Sequence, residues 1–106
     1  IKITVSTNDV ELGFELLNNT SSFKAGMKAN IPGGGVFEAV CIESNKILGA
    51  SKVFQYLLFL NEVSNIVVIS EWLYLQLKGR CISLHINEIE TEIIKSEIAK
   101  LLSSIT

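Results

Sequence analysis

The sequence predicts an α+β domain of two layers, a small sheet with one face covered by helices. Three observations predict it. Stretches near both ends and in the first third alternate apolar and polar residues with period two: Ile1, Ile3 and Val5; Phe23, Ala25, Met27, Ala29 and Ile31; Ile82, Leu84 and Ile86. Strands of that kind bury one face and wet the other, which disfavours a doubly wound fold with both faces covered. Ile94, Ile98, Leu101 and Ile105 recur at spacings of four, three and four, the stripe of a terminal helix. A chain of 106 residues fits one domain, 1–106, with a single core.

The elements follow in order. After the first strand, "STNDVELGFELLNNT" places Asn8 as a cap with Glu11 three residues on, the spacing of a capping box, and Val10, Phe14 and Leu17 at helical intervals. This predicts a helix over 9–19, in which Gly13 costs roughly 1 kcal/mol relative to alanine unless it permits a close approach to the sheet. The second strand ends at Ile31, and "PGGG" leads into an apolar segment from Val36 to Lys78. That segment reads as helical, divided near Ser44–Gly49 and again around Asn61–Asn65. "NIVVIS" within it also has the β-branched look of a buried strand. A strand over "CISLHI" and the terminal helix complete the chain. "ETEII" is open to either element: it starts the helix, or pairs with the preceding strand before Ser96 caps a shorter one.

Composition narrows the functional classes. Apolar residues make up 48% and charged residues 19%, a balance that leaves apolar surface for a partner and makes self-association an expectation. The formal net charge of −2, with both signs interspersed, supplies no field to attract a nucleic acid. Cys41 and Cys81 form no CxxC and have no histidine at ligand spacing, so neither zinc nor a disulfide framework is indicated. Two reduced thiols suit a cytoplasmic setting. The sequence opens on Ile1, as expected of a module excised from something longer, without the basic-then-apolar pattern of a signal peptide.

Candidate sites are few. A glycine turn between a strand and a helix starting near Val36 would aim free N–H groups at an anion. Yet Gly33, Gly34 and Gly35 match neither a P-loop nor a dinucleotide fingerprint, and a hinge accounts for them equally. His85, the one histidine, falls on the polar side of its strand with no nucleophile placed beside it. Lys2, Lys24, Lys28 and His85 would share the open sheet face without a carboxylate from the same strands. That face offers no aromatic platform for RNA; it reads as a solvated sheet face, and of the binding roles protein contact is the one it suits. Trp72 and Tyr74 either close the core or anchor a partner. Residues 53–77, between Lys52 and Lys78, are long enough to span a bilayer, but Glu62, Glu71, Asn61 and Asn65 oppose it. No catalytic, cofactor-binding or metal-ligating residue is assigned.

The succession of one-faced strand, capped helix, second strand, glycine turn, apolar helical region ending in Trp-Leu, basic residue and strand rests on "IKITVS", "ELGFELLNN", "GMKANIPGGG" and "EWLYLQLKGRCISLHI". In that order the chain resembles the effector-associated constant component domains of bacterial conflict systems. The resemblance implies a non-enzymatic adaptor that recruits or clusters an effector through protein contacts, and it carries over no site residues. The expected partner is protein, either a second copy or an effector or sensor. A small-ligand domain using the glycine turn and a membrane-active helix over 53–77 are the competing readings.

Overall fold

The computed structural model describes residues 1–18, 21–44 and 51–106. It has an α+β fold with elements in the order β1 (Lys2–Thr7), α1 (Val10–Glu15), β2 (Lys28–Asn30), β3 (Val36–Ser44), β4 (Lys52–Phe59), α2 (Ile66–Leu77), β5 (Cys81–Ile86), β6 (Ile89–Thr91) and α3 (Lys95–Ile105). The strands form one antiparallel sheet in the order β2-β3-β4-β1-β5-β6. The first strand therefore lies inside the sheet, between β4 and β5.

Alternation sets the core face. Ile3, Val5 and Thr7 of β1 are buried, and their cross-strand neighbours Tyr56, Phe54, Ile86 and Leu84 are buried with them. Phe37 and Ala39 extend the same face across β3, and the rings of Phe23, Phe37, Phe54 and Tyr56 meet at 5.2–6.5 Å. Aromatic rings at such separations gain edge-to-face or offset contacts beyond their area burial. Helix α1 crosses this layer at Gly13, where an added Cβ would lie 2.2 Å from the Phe54 ring. The close approach also lets the buried Tyr56 hydroxyl donate to the Gly13 carbonyl at 2.7 Å. Burial pushes the Tyr56 pKa far up, so it remains a neutral donor. Ile69, Leu73 and Leu77 of α2 and Ile98 and Leu102 of α3 complete the core.

The terminal helix, the strand over Cys81–Ile86 and the one-faced sheet agree with the sequence reading. Several elements differ. Val36–Ser44 and Lys52–Phe59 are not helical but the two long strands β3 and β4, and among the described residues of the long apolar segment only Ile66–Leu77 are helical. "NIVVIS" is the start of α2, where the Asn65 side chain caps the helix by accepting from the Val68 amide at 3.2 Å. Helix α1 is shorter than 9–19 and lacks the capping box, because Asp9 is its N-cap and makes no side-chain cap bond. Of residues 23–31 only Lys28–Asn30 pair as a strand. Of "ETEII", Glu90 and Thr91 pair with β5 and none is helical; the helix begins at Lys95 with Ile94, not Ser96, as its N-cap. Asn19 and the proposed break at 45–49 lie outside the described residues.

Candidate interaction surface

The glycine turn is built before any surface can be assigned to it. The Gly34 amide donates to the Ile31 carbonyl at 3.3 Å, with Pro32 second in the turn and Gly33 third at φ +92°, the residue preferences of a type II turn. The chain then enters β3, so the turn joins two strands and opens no helix. Its other side meets the start of α2. The Asn65 amide donates to the Gly33 carbonyl at 2.7 Å, and the Ser64 hydroxyl and Asn61 amide group donate to the Gly34 carbonyl at 3.1 and 3.3 Å. A Cβ on Gly33 would meet Ile69 Cγ1 at 2.6 Å and the Asn65 carbonyl oxygen at 2.9 Å. The turn presents carbonyl oxygens to a helix start, and the N–H cradle expected for an anion is not formed there.

The opposite end of α2 carries the main charge cluster. Arg80 donates from Nε to Asp9 at 2.7 Å and from Nη1 to Glu15 at 2.5 Å, tying α1 to the link between α2 and β5. The Arg80 hydrogen bond holds the Asp9 carboxyl below the usual carboxylate range. A shallow depression of about 400 Å³ beside it is lined by Asn8, Asp9, Gly79, Arg80, Cys81 and Ile82. Two carboxylates neutralise the guanidinium, so this is no anion site. The Cys81 thiol donates to the Ser83 carbonyl, and burial pushes its pKa up to about 11, which makes it a poor nucleophile. Both cysteines are free and half-buried.

The open sheet face is balanced in charge rather than basic. Lys2 pairs with Glu88 at 2.8 Å and Lys28 with Glu38 at 3.5 Å, while Lys24 lies outside the strands. His85 is half-buried between Thr4 and Glu90 in register. Glu38 reaches this face because Val36–Ser44 is a strand, and Glu88 because the turn between β5 and β6 folds back beside Lys2. Among the described residues no group of three His, Cys, Asp or Glu side chains could hold a metal ion. Nor is any helix among them long and apolar enough to cross a membrane, and the helix expected over 53–77 does not exist.

What stands out is the outer side of α2. At about 100° per residue, Val67, Val68, Glu71, Leu75 and Lys78 fall within an arc of about 100°. Val67 is 61% exposed and Leu75 51%, directly opposite the buried Ile69, Leu73 and Leu77. The helix is therefore apolar on both sides, with Glu71 its one charged residue and Lys78 its C-cap. Trp72 packs edge-on against Phe37 at 5.5 Å and belongs to the core margin. Lys78 Nζ sits 5.7 Å over the Tyr74 ring. Sequence reasoning did not single out this stripe, although the spacing of Val67, Glu71, Leu75 and Lys78 is visible in the sequence.

No family model, curated protein or solved structure matches the chain.

Proposed function

We propose that this domain is a non-enzymatic protein-interaction module, acting in the cytoplasm as an adaptor that clusters copies of itself or joins an effector to a signalling NTPase. The observation that supports it is the two-sided apolar character of α2. A helix apolar all round is ordinarily covered on every side, yet here Val67, Val68 and Leu75 on one side are exposed. The sequence resemblance of "IKITVS", "GMKANIPGGG" and "EWLYLQLKGRCISLHI" to effector-associated constant component domains is what supports the bacterial conflict setting. The test is a photo-crosslinking residue, p-benzoylphenylalanine, at position 75, irradiated in cells expressing the full parent protein. The expected outcome is a defined protein adduct from position 75 and none from the same probe at Lys100. Absence of any protein adduct at position 75 would overturn the reading.

A further inference from the structure

We infer that the C-terminal half of the outer stripe of α2, Glu71 to Lys78, binds a second copy of this chain, the two helices packing antiparallel across a two-fold axis beside Leu75; this rests on the interaction reading above. The argument is charge complementarity within one stripe. A two-fold contact is isologous, so each residue pairs with a residue of the same patch, and the patch must complement itself. Glu71 and Lys78 lie seven residues apart, about 10 Å along the helix at 1.5 Å per residue, with Leu75 between them. Reversing the helix about a point between Tyr74 and Leu75 sets Glu71 of each copy against Lys78 of the other. Leu75 then meets the Tyr74–Leu75 segment of its copy on the axis. The result is two identical ion pairs flanking an apolar centre, with no like charges opposed on the stripe.

The existing partners of these two residues leave them available. Glu71 faces Lys95 of α3 at 3.9 Å with both side chains about half exposed, a geometry of small energetic value. Among the described residues the Lys78 ammonium has only its loose contact with the Tyr74 ring. A parallel arrangement of the same stripe would place Glu71 beside Glu71 and Lys78 beside Lys78, so the charges also select the direction.

Sedimentation equilibrium up to about 200 µM, a range that detects dissociation constants in the micromolar region, tests this on the full chain. Wild type is expected to form dimers. Glu71→Lys and Lys78→Glu should each weaken association about tenfold or more by opposing like charges twice, and the combined exchange should recover most of the loss. Far-ultraviolet circular dichroism confirms that each exposed-site variant is folded. A monomeric wild type overturns the inference, as does a double variant no better than the single ones. If the position-75 probe links to a different protein while the chain sediments as a monomer, this inference fails and the interaction reading stands.

Discussion

Helices α2 and α3 lie side by side on the same sheet face, and both bury one stripe in the same core. They differ in what they show to the outside. The outer residues of α3 include Lys95, Glu97, Lys100, Ser103 and Ser104, all exposed, so its amphipathicity is satisfied by one sheet and water. The outer side of α2 carries Val67, Val68 and Leu75. The two are also anchored differently: α3 begins without a side-chain cap, whereas α2 is held by Asn65, by the glycine turn and, past its end, by the Arg80 ion pairs. Of the two, the helix with apolar residues on both sides is thus the one with polar anchors at both ends.

The inner faces should respond alike. Leu73→Ala in α2 and Leu102→Ala in α3 each empty a fully buried site and should each cost about 2–5 kcal/mol in urea denaturation. The outer faces should not. Leu75→Lys in α2 and Lys100→Leu in α3 should each leave monomer stability within about 0.5 kcal/mol, and only the former should change association. A large loss of stability from Leu75→Lys would show that the stripe belongs to the core.

Next in size is the anchor. Gly33→Ala combines positive φ with contacts against Ile69 and the Asn65 backbone, and should cost about 2–4 kcal/mol. Gly34→Ala, with positive φ but only ordinary contacts, should cost about 1–2 kcal/mol. Equal effects at the two positions would mean that the turn does not bear on α2. Arg80→Met leaves Asp9 and Glu15 unpaired; because all three are partly exposed, screening limits the expected loss to about 1 kcal/mol.

The smallest effect is pH-dependent. The carboxyl of Asp9 is held below its usual value when folded, so the stability it contributes is present above the ordinary aspartate range. It is lost as pH falls through the lower folded value. In acid titrations the gap between wild type and Asp9→Asn should close as pH drops below about 4, and a gap that widened there would reverse the assignment.

How much of this was legible in sequence depended on whether the outer side of an element was polar. Lys2, Thr4 and Ser6 alternate with Ile1, Ile3 and Val5, and β1 was read correctly; the same holds for Leu84 and Ile86 in β5. In β3 and β4 the open-face positions include Val36, Val53, Leu57 and Phe59. Apolar residues on both faces erase the period-two signal, and the run then looks helical. The β-branched "IVVI" of α2 also suited a strand, and the helical reading of that segment holds, with Asn65 as its cap. The candidate surface was hidden by the same confusion. Where apolar residues mark two faces, sequence periodicity identifies neither element nor surface, and register must come from pairing partners far along the chain.

The bond from the Asn65 amide to the Gly33 carbonyl carries one more consequence. It joins the tip of the hairpin at one edge of the sheet to the first turn of the outward helix, so fraying of that turn breaks a bond that the hairpin tip also uses. Amide hydrogen exchange at Asn65 and Gly34 is expected to proceed at matched rates. A load applied to the start of α2 would pass through this bond to the β2–β3 hairpin, one margin of the sheet.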